Sequence, residues 1–169
     1  MSTDVCVGRC RQLDWSADAS AFSSILAESP NRQGFDLLLG SDVAYSLKAL
    51  PSLFKAASLL LSKQPQSVFL LGYVSRASSI DRGIFLEAAA VGLRTREVAG
   101  TRKSVPGGLE GAVYEVRWAH LAQALEVDAS GPARRRRRAE GPSQKLVIAA
   151  ATLGPLLAGL ALTAFMYKQ

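Results

Sequence analysis

Hydrophobic and polar positions change their period several times along this chain, and each change marks an element. Phe35-Asp36-Leu37-Leu38-Leu39 and Val68-Phe69-Leu70-Leu71-Gly72-Tyr73 are nearly continuous in apolar residues. Runs of that length and composition read as strands buried on both faces of a parallel sheet. Between them, Leu50, Leu53, Phe54, Ala57, Leu60 and Leu61 recur at helical spacing, and Pro51 suits the first turn of that helix. Ile84, Phe85, Ala88 and Gly92 predict a second helix after the second strand, with Ser79 or Asp81 as candidate caps. Leu93–Val98 reads as a strand. In 112–118, Ala112, Tyr114, Val116 and Trp118 alternate with Val113, Glu115 and Arg117, as in a half-buried strand. Ser104-Val105-Pro106-Gly107-Gly108 lies between these two strands and reads as a turn. It is no phosphate loop, because no helix follows it. Strand, helix, strand, helix and then two strands with no helix between them predict an α/β sheet that ends in a hairpin.

The last apolar run differs in kind. Leu146 to Tyr167 contains no charged residue and is bracketed by Lys145 and Lys168. As a helix its 22 residues would span roughly 33 Å, enough to cross a hydrocarbon core of about 30 Å. Its nine Leu, Ile, Val and Phe residues favour insertion by roughly 3–5 kcal/mol in all. Gly154, Pro155 and Gly159 subtract from this, but both residue types are tolerated in membrane helices. The competing reading is a buried core helix, which seldom lacks a polar stripe over so many turns. The expectation is a single transmembrane helix at the C-terminus. With only Lys168 and Gln169 after it, insertion would be post-translational, the tail-anchored arrangement.

Three zones result: a globular part over 1–120, a basic linker over 121–145 rich in Arg, Ala, Gly and Pro and expected to be disordered, and the anchor over 146–167. The formal charge of +6 says little about the globular part. Arg134–Arg138 carry five of those charges, so the remainder is nearly neutral. Nucleic acid is therefore not the obvious partner. Five consecutive arginines can bind nucleic acid, but beside a membrane helix they more readily attract anionic lipid and keep the folded part on the cytosolic side. The N-terminus carries no charged-then-apolar signal segment. Cys6 and Cys10 have C-x3-C spacing and lack two further zinc ligands; His120, the one histidine, supports no Ser/His/Asp set. No metal site is expected.

In open α/β sheets, ligands lie beyond the carboxyl ends of the strands. Gly40-Ser41-Asp42-Val43-Ala44-Tyr45 follows the first predicted strand. An acid and a phenol three residues apart at a strand end can reach one pocket. On pattern alone, a turn-forming or helix-capping Asp42 and a packed Tyr45 are the commoner outcome.

These segments carry a resemblance. Leu13-Asp14-Trp15, then Phe35 through Tyr45, then Leu71-Gly72-Tyr73-Val74-Ser75-Arg76, with Asp81, Phe85, Ala88 and Gly92-Leu93 following in order, resemble the methyltransferase-like 21 group of class I S-adenosylmethionine-dependent protein-lysine methyltransferases. The resemblance covers roughly residues 5–118. It implies an α/β, Rossmann-like class I methyltransferase sheet, here only its third to seventh strands. It also implies a protein substrate with a target lysine and S-adenosyl-L-methionine as cofactor. The D-x-x-Y element, which borders both the methionine part of the cofactor and the substrate lysine, would correspond to Asp42 and Tyr45, with Ser41 beside the cofactor. Trp15, with Asp14 adjacent, would lie near the adenine.

One departure is large. The family's glycine-rich turn after its first strand is missing, as is the acidic residue that ends its second strand and binds the ribose. In the family's sheet those two strands lie between the third and the fourth. Without them, Val5–Leu13 loses its neighbour, half the cofactor site goes, and the fourth strand is left with a bare edge. Three possibilities stay open: a fragment or mispredicted product, a partner that supplies the missing half, or a non-catalytic, tail-anchored interaction protein.

Overall fold

The computed structural model describes residues 7–29, 32–122, 146–150 and 162–168. Cys6 and residues 123–145 of the basic linker, Arg134–Arg138 among them, lie outside the described residues. The element order is β1 (Val7–Leu13), α1 (Ala19–Leu26), β2 (Leu37–Ser41), α2 (Leu50–Leu60), β3 (Val68–Ser75), α3 (Ser78–Ala90), β4 (Leu93–Glu97), β5 (Lys103–Val105), β6 (Leu109–Trp118), β7 (Leu146–Ala150) and β8 (Leu162–Lys168).

The strands form one mixed sheet in the order β1-β8-β7-β2-β3-β6-β4, with β5 paired to β6. β2 and β3 are parallel in the register Leu37↔Val68 to Ser41↔Gly72. β6 inserts antiparallel between β3 and β4. The predicted terminal hairpin is therefore present, with its returning strand in the inner position. This mixed α/β arrangement is compatible with a Rossmann-like fold.

Local chemistry explains the elements. In α2, Leu50, Leu53, Phe54, Ala57 and Leu60 make one buried stripe, and Pro51 sits in the first turn, where its missing N–H costs nothing. The helix stops at Leu61, which turns extended and forms an isolated parallel bridge with Phe35. The Phe35 N–H donates to the Leu60 carbonyl and the Ser62 N–H donates to the Phe35 carbonyl, at 2.8 and 3.0 Å. These two bonds tie the approach to β2 onto the end of α2. Phe22, Phe35, Phe54, Leu50, Leu71, Ile84, Leu93, Val43 and Val116 are among the largest fully buried side chains.

Three expectations change. The first strand begins at Leu37 rather than Phe35, because Phe35 bonds to the end of α2 instead. α3 starts at Ser78 with Ala77 as its cap residue, so Ser79 and Asp81 lie in the first turn and cap nothing. There the Asp81 carboxylate accepts from the Tyr73 and Ser75 hydroxyls. The central strands are also not buried on both faces. Leu38, Phe69, Leu71 and Tyr73 are buried, whereas Leu37, Leu39, Leu70 and Val74 on the opposite face are half-buried. Among the described residues, α2 and α3 pack against each other and α1 packs on α2, with no layer recorded over the other face.

The apolar tail is described only in part. Leu146–Ala150 and Leu162–Lys168 are strands; the rest of the run proposed as an anchor, residues 151–161, lies outside the described residues. Among the described residues no helix is long and apolar enough to cross a membrane. β7 runs parallel to β2 from Leu37↔Leu146 to Ser41↔Ala150, and β8 runs antiparallel to both β7 and β1. The gap expected between β1 and β2 is thus occupied by two strands of the chain's own tail. An uncharged run of this kind satisfies its backbone equally well in a ladder or a helix, and a bare β2 edge supplies the ladder.

Candidate functional site

β2 and β3 are parallel with Ser41 opposite Gly72, and β3 runs on to Ser75, so both carboxyl ends lie on one side of the sheet. Asp42 follows the first and Arg76 follows the second. Asp42 has φ +54, a left-handed conformation uncommon outside glycine but most accessible to Asn and Asp. Its N–H donates to the Gly72 carbonyl at 2.8 Å, which holds the turn against β3. Its carboxylate takes both arms of the Arg76 guanidinium, Nη1 to Oδ1 at 2.6 Å and Nη2 to Oδ2 at 2.7 Å. Both side chains are about one-third exposed. The paired carboxylate raises the Arg76 pKa, against a smaller opposing effect of burial, so the guanidinium remains cationic.

Beyond Asp42, Val43 and Ala44 are fully buried and pin the segment to the core. Tyr45 is half-buried and Ser41 exposed. The segment then forms one wall of a cleft of about 310 Å³ lined by Asp14, Trp15 and Ser16 from the end of β1 and by Ser46, Lys48, Ala49 and Ser52. That volume is at the low end for small-molecule sites, roughly 300–1,000 Å³. Trp15 lines the cleft although it is only 7% exposed. The exposed Asp14 carboxylate accepts from the Ser16 hydroxyl at 2.6 Å and the Ser16 N–H at 2.8 Å, and those bonds hold its pKa below the usual carboxylate value.

Asp14 and Trp15 both line this cleft. Ser41, Asp42 and Tyr45 are not among that cleft's lining residues; they lie on the strand end that leads into it. Asp42 caps no helix, since α2 begins at Leu50, but it is a turn residue. Arg76 is the site residue to which the sequence assigned no role. Its signal is positional: it is the first residue after β3, as Asp42 is the first after β2, although β3 runs three residues further.

β3 also contributes a satisfied polar cluster. The Tyr73 hydroxyl donates to Asp81 at 2.7 Å and the Ser75 hydroxyl donates to the other Asp81 oxygen at 2.9 Å. Burial, and then the adjacent Asp81 carboxylate, push the Tyr73 phenol well above its ordinary value of 10.0. A raised phenol pKa means the folded chain holds that proton more tightly than the unfolded chain. The associated stability is complete below pH 10 and lost as pH rises beyond it toward the folded value. Tyr73→Phe is expected to cost about 1.5–3 kcal/mol near neutral pH, because a charged acceptor loses a donor. It should also flatten the fall in stability above pH 10. Urea unfolding at pH 8 and at pH 10.5 checks this, and an unchanged slope in the variant would assign that fall to another group.

No protein-family model matches the chain, and no curated protein matches it.

Proposed function

We propose that this chain is an S-adenosylmethionine-dependent protein-lysine N-methyltransferase, or the carboxyl-terminal part of one, held at a membrane by its apolar C-terminus. The observation that carries the reading is the placement of the Leu13-Asp14-Trp15 element and the Asp42-x-x-Tyr45 element. Both elements follow the carboxyl ends of strands: Asp14 and Trp15 line a cleft with Ser16, Ser46, Lys48, Ala49 and Ser52, and Asp42 and Tyr45 lie on the segment that leads into it. Asp14 and Trp15 would serve the nucleoside part of the cofactor, and Ser41 and Asp42 its methionine part. Asp42 and Tyr45 would orient the amine of the target lysine. When bound, S-adenosylmethionine supplies an electrophilic methyl group. The protein's part is to hold a neutral amine in line with that methyl, and positioning of this kind accounts for much of the rate in such reactions.

A second reading rests on a specific observation. The glycine-rich turn and the ribose-binding acid have no counterpart in this sequence. That favours a non-catalytic, membrane-anchored interaction protein that keeps a methyltransferase-like sheet. Calorimetric titration of the detergent-solubilised full chain with S-adenosylmethionine separates the two. Saturable binding that weakens at least tenfold in Trp15→Ala supports the enzyme. No saturable binding supports the interaction protein.

The membrane part of the proposal rests on the uncharged 22-residue run and on the adjacent Arg134–Arg138, which suit anionic headgroups. Alkaline carbonate washing of vesicles carrying the chain should leave it in the pellet; release of intact protein would refute the anchor.

A further inference from the structure

We infer that the apolar C-terminal run is a switch with two mutually exclusive seats. Out of lipid it completes the sheet as β7 and β8; on meeting a bilayer it leaves the sheet and releases β1 and the outer edge of β2. The inference rests on the membrane part of the proposal and is independent of methyl transfer.

The same residues suit both seats. In the sequence, Leu146 to Tyr167 is an uncharged run of 22 residues between Lys145 and Lys168, long enough to span a bilayer as a helix. In the fold, β7 starts at Leu146 and β8 runs to Lys168. β8 pairs with β1 through seven residues, and β7 pairs with β2 through five. One segment cannot hold both positions at once.

The backbone explains why either seat is open to it. Wherever water is excluded, every amide and carbonyl of such a run must be bonded. A spanning helix meets that demand from within the run. The sheet meets it through β1, β2 and the β7–β8 ladder. The run thus gives up no ladder bond that a helix fails to replace, and the cost of its departure falls on the strands left behind. β1 has no other partner recorded among the described residues, and β2 keeps β3. Apolar side chains gain by entering lipid. The bilayer is then the ligand that moves the equilibrium, because it interacts with one state and not with the other. Arg134–Arg138, which precede the run in the sequence, draw it to an anionic surface.

The switch reaches the cleft. β1 ends at Leu13, and the next three residues, Asp14, Trp15 and Ser16, line the cleft. When β8 leaves, that wall is held by the core packing of Leu13 and Trp15, with no ladder behind it. Coupling between two sites is reciprocal. A molecule that fills the cleft and steadies this wall holds the tail in the sheet, and entry of the tail into lipid loosens the wall.

A lock across β1 and β8 is the test. Cys10 of β1 stands opposite Phe165 of β8. Directly opposed residues on antiparallel strands lie about 4.5–5.5 Å apart at Cα, within the roughly 4.4–6.8 Å that a disulfide spans. The full chain carrying Cys6→Ser and Phe165→Cys is made by cell-free synthesis without lipid and oxidised. It is then mixed with phosphatidylcholine–phosphatidylserine vesicles, which are washed with alkaline carbonate. Mass spectrometry after thiol alkylation should show the intramolecular link. The vesicles should retain the linked chain at least tenfold less than the same chain reduced with a phosphine. Arg11→Cys/Ala164→Cys, with Cys6 and Cys10 replaced by serine, moves the lock by one register step and stands in if circular dichroism shows the first variant unfolded. Equal retention of the linked and reduced chains overturns the inference and leaves the anchor standing. Failure of the link to form in water also overturns it, because β8 would not lie along β1. A reduced chain that washes off the vesicles overturns the anchor, and the inference with it.

Discussion

Deletion of residues 141–169 is expected to raise amide exchange roughly hundredfold over Val7–Leu13 and along the outer edge of Leu37–Ser41, and to leave a chain that self-associates. β1 pairs with β8 through all seven of its residues, and no other partner is recorded for it among the described residues. Without the tail it has no ladder, and strands with unpaired amides exchange at the rate of local opening rather than of global unfolding. β2 suffers differently. It keeps β3 on one side and loses β7 on the other, which turns an interior strand into an edge. Leu37-Leu38-Leu39-Gly40-Ser41 carries no charge, no proline and no bulge, so nothing in it discourages pairing with a second molecule. Size-exclusion chromatography reads the association and exchange mass spectrometry reads the edges. Unchanged exchange over both segments would mean that β7 and β8 do not complete the sheet. The deletion leaves Arg134–Arg138 in place, so any effect belongs to the apolar segment and not to the basic one. The same measurement bears on the membrane proposal. A segment that crosses lipid cannot also pair with β1, so the full chain in vesicles should match the deletion variant over Val7–Leu13.

What the sequence disclosed follows the range over which each signal acts. β3, α2 and the β4–β6 hairpin were legible because their periodicities are local and long enough to exceed chance. α1 was not, because in eight residues of mostly Ser and Ala only Phe22 and Ile25 are buried. The continuous apolar run of β2 and β3 implied two covered faces, yet Leu37, Leu39 and Leu70 are only half-buried. A run of leucines states that a strand is apolar, not that a layer exists to cover it. The tail shows the same limit. Length and lack of charge distinguish a spanning helix from a short strand, but not from two strands, and Gly154 and Pro155 fall between β7 and β8 in the sequence. In the site, Asp14 and Trp15 share a cleft because they are adjacent in the chain, a local relation. Arg76 was not legible, because its partner lies 34 residues away and meets it only once β2 and β3 are in register.

Gly34→Ala is expected to cost about 3–5 kcal/mol, much of the 5–15 kcal/mol that holds a domain of this size together. The position has φ +103, where an L side chain is strained by about 1–3 kcal/mol. A Cβ built there would lie 2.7 Å from the Leu60 carbonyl oxygen, 2.8 Å from the Ser62 nitrogen and 3.0 Å from the Leu61 carbonyl carbon. All three are backbone atoms, so no rotamer change relieves the contact. Two of them also make the bonds to Phe35 that bind the start of β2 to the end of α2. Moving them apart would give up hydrogen bonds of about 1 kcal/mol each and loosen Phe35, which is fully buried. Gly100 supplies the control. It too has positive φ, +78, but nothing lies within 4 Å of its Cβ position. Gly100→Ala should therefore show the conformational cost alone, about 1–2 kcal/mol. Urea unfolding of the two variants beside the wild type measures the difference. If Gly34→Ala lost no more than Gly100→Ala, the close seat of Gly34 against the end of α2 would be wrong, and with it the path by which the chain enters β2 and delivers Asp42 to the carboxyl edge.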